Sequence, residues 1–157
     1  MKTNASRLLE QMGIAHELVE YDVDPEDLSA ETVARKIGLP PGQVFKTLAV
    51  RAGSSVYFAV VPGDRELDLK ALASASGERR LELVPLKDVQ ALTGYIRGGV
   101  TAIAARKPCP VYLDAAAFDF PCISISAGIR GTQILLAPAD YERATNAVTG
   151  IFSKPKP

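Results

Sequence analysis

Two cysteines and one histidine are a thin supply of the side chains that hold metals and build catalytic triads. Cys109 and Cys122 have neither CxxC spacing nor a histidine nearby, so neither a zinc site nor a redox pair is implied and both read as packed apolar thiols. His16 stands in an alternating stretch, where a structural or exposed place suits it better than the base of a Ser-His-Asp or Cys-His engine. No HExxH, P-loop or GxGxxG pattern occurs, which removes zinc-hydrolase, phosphate-loop and dinucleotide readings. No metal and no cofactor are expected. Charge of one sign is also missing, because 18 Lys and Arg balance 18 Asp and Glu. Without a global positive field the chain is no general nucleic-acid binder. Contact with one end of an RNA stays open through local clusters, for which Arg79 with Arg80, Arg97, and Arg106 with Lys107 are candidates; taken singly, each reads as a solvated surface cation. No apolar run nears the roughly 18 residues of a membrane span, and the N-terminus lacks an apolar signal core, so a cytoplasmic protein with no membrane partner is expected.

What is present suits one core. Of 157 residues, 47% are hydrophobic, and 11 prolines and 12 glycines are dispersed as turn punctuation. A single domain over residues 1–152 is expected, with 153–157 a frayed tail. Asn4 or Ser6 caps a first helix closed by Gly13, residues 14–21 alternate as a strand, and Ser29 caps a short helix stopped by Gly38. Residues 44–51 and 55–61, joined by Ala52, Gly53 and Ser54, predict an antiparallel hairpin. Helical patterns follow at 67–74 and 85–92, short strands at 111–113, 122–126 and 133–136, and a last helix at 139–148. The absence of a strict βαβ repeat argues against a doubly wound sheet. The expected fold is α/β: a mixed, mainly antiparallel curled sheet, a partial barrel, surrounded by helices.

In VFKTLAV at 44–50, alternate side chains share a face, so Lys46 points with Val44, Leu48 and Val50. An ammonium on an apolar face is costly unless paired. Either a ligand carboxylate, phosphate or polarised carbonyl meets it, or the side chain snorkels to solvent. Two glycine-bearing segments, GYIRGGV at 94–100 and SAGIRG at 126–131, offer amides that can approach a ligand oxygen closely. They also fit simple turns after strands.

The order of an N-terminal helix, a strand ending in Tyr21, VFKTL, LDLKAL, TGYIRGG and SAGIRG resembles the YbaK/EbsC family of Cys-tRNA(Pro) deacylases, relatives of the editing domain of bacterial prolyl-tRNA synthetase. That resemblance implies a deacylase acting on the acceptor end of a mischarged tRNA alongside prolyl-tRNA synthetase. Lys46 takes the place of the family's essential lysine, and Thr47 that of the neighbouring polar residue that helps set amino-acid preference. Tyr21 would line the pocket, Gly98 and Gly99 would turn their amides to the aminoacyl group, and Ser126, with Gly128 and Arg130 beside it, would hold the substrate end. Two positions depart from the family pattern: Ala102 stands for a proline and Gln133 for an aspartate. The scheme implied needs no protein nucleophile, since the substrate's own thiol attacks the ester. Another small misacylated tRNA, such as Ala-tRNA(Pro) or Ser-tRNA, is the alternative substrate. A non-catalytic module holding a nucleotide or tRNA end is the alternative class.

Overall fold

Local signals place most of the elements in the computed structural model, which describes residues 2–157. Helix α1 (Asn4–Gln11) starts from Thr3 and not from the expected Asn4 or Ser6. The Thr3 hydroxyl accepts from the Ser6 N–H at 3.3 Å while Ser6 Oγ accepts from the Thr3 N–H at 2.8 Å, a reciprocal cap that satisfies two orphan donors. Strand β1 (Glu17–Glu20) is shorter than its alternating stretch. Helix α2 (Ala30–Ile37) has Ser29 as N-cap and Gly38 at φ 76° as C-cap. The hairpin of β2 (Phe45–Ala52) and β3 (Ser55–Pro62) is antiparallel, with Phe45 opposite Pro62 and Ala52 opposite Ser55. There follow β4 (Arg65–Leu67), α3 (Leu69–Ser76), β5 (Glu82–Leu83) and α4 (Leu86–Thr93). The second half holds β6 (Val111–Asp114), β7 (Ile123–Ser126), β8 (Thr132–Leu136), α5 (Pro138–Thr145), β9 (Val148–Gly150) and β10 (Ser153–Pro155).

The larger sheet runs β5-β2-β3-β6-β9, antiparallel at β5/β2/β3 and parallel at β3/β6 and β6/β9. A second sheet, β1-β8-β7, is antiparallel throughout and meets the first through a parallel bridge between Val44 and Ser124. The mixed, mainly antiparallel α/β architecture is as expected. A partial barrel describes it only loosely, because the sheets stay open: they share one hydrophobic core, but the Val44–Ser124 bridge is the backbone link between them.

The central hairpin is buried on both faces. Phe45, Ala49, Phe58 and Val60 join the main core, while Val50, Ala59 and Val61 pack on the other side with Leu72, Tyr112 and Phe152. Complete burial of a side chain such as Phe58 contributes roughly 1.5–3 kcal/mol, so strands apolar on both faces settle between layers.

Two expectations about the C-terminal end are overturned. The last helix stops at Thr145 instead of reaching Val148, because Asn146 turns left-handed at φ 56° and Val148 begins β9. The expected frayed tail is instead a strand: Ser153, Lys154 and Pro155 lie opposite Leu67, Glu66 and Arg65. Arg65 Nε donates to Ser153 Oγ at 2.8 Å, and Phe152, only 3% exposed, anchors the segment from below. A short polar sequence has no periodicity of its own; the free edge of β4 supplied the order.

Candidate active site

A cleft of about 530 Å³ lies along one edge of β2. Strand β5 covers that edge only at Val50 and Arg51, and the last link is the Val84 N–H to the Ala49 carbonyl at 3.0 Å. Among the described residues, 45–48 therefore have no strand partner on this side, and their exposed edge forms the cleft floor. One wall is the first turn of α2, with Ser29, Glu31 and Val33; another is Val84, Leu86 and Val89. Arg97, Gly98 and Val100 close one end, Ser126 and Gln133 lie beyond, and Lys156 arrives from the C-terminal strand.

Lys46 stands on this floor. The pleat puts it on the face of Leu48 and Val50, which belong to the second cluster, whereas Val44, expected on that same face, precedes the strand and packs with Val33 and Ala34. Its Nζ donates to the Arg65 carbonyl at 2.7 Å. Burial holds its pKa below the ordinary lysine value, and the Lys156 ammonium adds to the lowering, against opposing pulls from Glu31, Asp64 and Glu66. Thr47 points to the opposite face of the strand yet also lines the cleft, because a floor made of a strand edge is flanked by both faces.

The glycine segments divide. The Gly99 N–H closes a turn onto the Ile96 carbonyl at 2.9 Å, with Gly98 inside the turn at φ 85°, a conformation that favours glycine. Arg130 Nε donates to the Arg97 carbonyl at 2.7 Å. Since N–H and C=O of one trans peptide point oppositely, the Gly98 N–H is turned to the side away from Arg130. Gly98 lines the cleft, and Gly99, Gly128 and Arg130 do not. A Cβ on Gly99 would stand 3.2 Å from the Arg130 backbone nitrogen, so its role is close packing of the two loops. Gly128, at φ 97°, donates its N–H to Ser126 Oγ at 3.1 Å, which leaves Ser126 as the member of that loop lining the cleft. Tyr21 packs behind the wall, against the cluster of Val33, Ala34 and Val44, with its N–H on the Gly131 carbonyl at 2.9 Å.

His16 Nδ1 lies 2.9 Å from the Ile14 carbonyl, a local turn contact away from the cleft. Buried Gln133 accepts from Ser124 Oγ at 2.9 Å, so the amide that replaces a carboxylate is fixed within the second sheet, and Ala102 is core. The candidate basic residues do not converge on the cleft. Arg106 stacks 5.2 Å from the Tyr95 ring centroid and bonds the Gly94 carbonyl, and Lys107 bonds the Ala91 carbonyl beside a separate groove; Arg97 alone of them lines the cleft. Glu31 and Lys156, paired at 2.5 Å, were missed. Only the acidic first turn of α2 gave any sign of Glu31, and nothing in SKPKP singled out Lys156.

An open strand edge, a lysine held by a carbonyl and a glycine turn line the same space. Comparison with known proteins gives the chain its class: the aminoacyl-tRNA editing domain matches residues 24–144, and the chain belongs to that family. It is 46% identical over 92% of its length to EbsC of Enterococcus faecalis, named as a candidate Cys-tRNA(Pro)/Cys-tRNA(Cys) deacylase, and covers 89% of that protein. It is also 30% identical to the proline--tRNA ligase of Pelotomaculum thermopropionicum over 78% of the chain, a match spanning 17% of the ligase. Among solved structures, a candidate trans-editing enzyme for prolyl tRNA synthetase superposes with a TM-score of 0.82 at 25% identity, covering 98% of this chain and 99% of that one.

Proposed function

We propose that this chain is a trans-editing deacylase that clears Cys-tRNA(Pro), with prolyl-tRNA synthetase as its partner and the cytoplasm as its place of work. The carrying observation is Lys46, half-buried on an open strand edge, with a neutral carbonyl as its hydrogen-bond acceptor and Gly98 across the same cleft. A synthetase pocket shaped for proline discriminates poorly against other small side chains, so a second site that hydrolyses the wrong ester is needed.

In this reading the substrate's thiol attacks its own ester carbonyl. A carbon–sulfur bond forms, the carbon–oxygen bond to the terminal ribose breaks, and the thiol proton leaves with that ribose oxygen. Water later opens the cyclic thiolactone to cysteine. The protein's part is to orient the thiol and to stabilise the developing oxyanion, for which a fixed ammonium and a backbone N–H are apt tools. Lys46 and the Gly98 amide take those roles, Thr47 and Ser126 contact the aminoacyl end, and Gly99, Gly128, Arg130 and Tyr21 hold the walls in place.

Catalytic amounts of protein incubated with Cys-tRNA(Pro), Ala-tRNA(Pro) and Pro-tRNA(Pro), read on acid gels, test the assignment. Cys-tRNA(Pro) is expected to lose its ester first and Pro-tRNA(Pro) to keep it. Faster loss of alanine would move the substrate; binding without turnover would make the cleft a binding module.

A further inference from the structure

The C-terminal strand carries a residue into the cleft that the chemistry above leaves unused. Pro155 lies opposite Arg65, and the Arg65 carbonyl is the group that holds Lys46 Nζ. One residue further on, Lys156 lines the same cleft and pairs with Glu31 on the opposite wall. Lys154, by contrast, faces Glu66 at 3.5 Å and does not line the cleft.

Two ammonium groups thus share one concave space. Their mutual repulsion is part of what depresses Lys46. Glu31 balances Lys156 only through a surface pair, whose side chains are 50% and 40% exposed and which a stronger anion can replace at little cost. An aminoacyl ester offers no such anion, since its reacting end carries a neutral carbonyl and a basic amine. The acceptor end behind it does, at every phosphodiester.

We infer that Lys156 is a binding residue for a backbone phosphate of the RNA acceptor end, exchanging Glu31 for a phosphodiester oxygen while Lys46 faces the acyl group. This rests on the deacylase reading for its ligand. The strand pairing of β10 is what gives the residue its fixed place, and it brings Lys156 into the cleft.

Binding of an uncharged RNA hairpin ending in CCA, followed by fluorescence anisotropy at several salt concentrations, tests the assignment without needing turnover. Lys156→Ala is expected to weaken binding about fivefold and to make the log–log salt slope shallower by about one ion. Lys156→Arg restores both. Glu31→Gln breaks the same ion pair but frees the ammonium, so it tightens binding. If Lys156→Ala binds as wild type, or if Glu31→Gln weakens binding as much as Lys156→Ala does, the assignment is overturned; the second result would make the pair a mere tether. Turnover of Cys-tRNA(Pro) by the wild-type chain is scored separately, so an inactive enzyme that still loses RNA with Lys156→Ala would refute the deacylase reading and leave the phosphate contact standing.

Discussion

Strand β2 carries a cation near each end, and the two are held in opposite ways. At Arg51 the strand edge is closed by β5, and the guanidinium meets Glu82 at 2.9 Å and Asp88 at 3.8 Å. At Lys46 the same edge is open, and the ammonium has a carbonyl for its acceptor in a half-buried cleft. Arg51 is neutralised by its carboxylates and has little left to offer a ligand. Lys46 has a neutral carbonyl for its acceptor and feels Glu31, Asp64 and Glu66 without a carboxylate hydrogen bond among the described residues, which on the proposed reading leaves it able to meet a developing oxyanion. Where β5 stops decides which of the two cations lines the cleft.

The largest effect is expected at the open end. Lys46→Ala should lower deacylation at least about a hundredfold while circular dichroism and melting temperature stay near wild type. Retained turnover would erase the distinction between the two cations. Because burial lowers the Lys46 pKa, the ammonium is lost at a pH below the ordinary value of about 10.4, and activity should fall along an alkaline limb starting there. Lys46→Arg, charged throughout that range, should have no such limb in whatever activity it keeps.

A smaller effect sharpens the contrast from the wall. Gly63 lines the cleft beside the start of β2, and a Cβ there would stand 2.7 Å from Ala30 Cβ and 2.8 Å from the Val44 carbonyl oxygen. Gly63→Ala should cost about 1–3 kcal/mol in denaturant titration, because α2 must be pushed off the floor it walls. Unchanged stability would mean that α2 yields freely and that the cleft's width is not fixed. Smallest of all, Arg51→Ala should cost no more than about 1 kcal/mol, as for a largely solvated ion pair, with turnover as in wild type. A marked loss of activity there would show the closed end to be coupled to the site.

Much of this architecture was legible before any tertiary contact. Ser29 with Gly38, the antiparallel hairpin and the placing of Lys46 with Leu48 and Val50 are local facts of capping, turn chemistry and pleat, and each holds, Val44 being the one member of that expected face that packs elsewhere. The site was legible in part. Lys46, Thr47, Gly98 and Ser126 do come together, whereas Tyr21, Gly99, Gly128 and Arg130 brace the walls without lining the cleft. Glycine content marks where backbones approach closely but not whether the neighbour is a ligand or another loop. The two loops here approach each other, with Arg130 on the Arg97 carbonyl.

By itself, then, the chain's sequence determined the helices, the central hairpin, the direction of the lysine and the family to which its motifs belong, because these follow from dihedral preference and periodicity over a few neighbouring residues. Tertiary structure alone decided that β5 would stop at Arg51, that β9 and β10 would exist, and that Glu31 and Lys156, 125 residues apart, would meet at the cleft rim. Strands of two or three residues have too little pattern to announce themselves. They form where an already folded edge offers unpaired backbone groups, and the shape of the site follows from which edges are filled and which are left open.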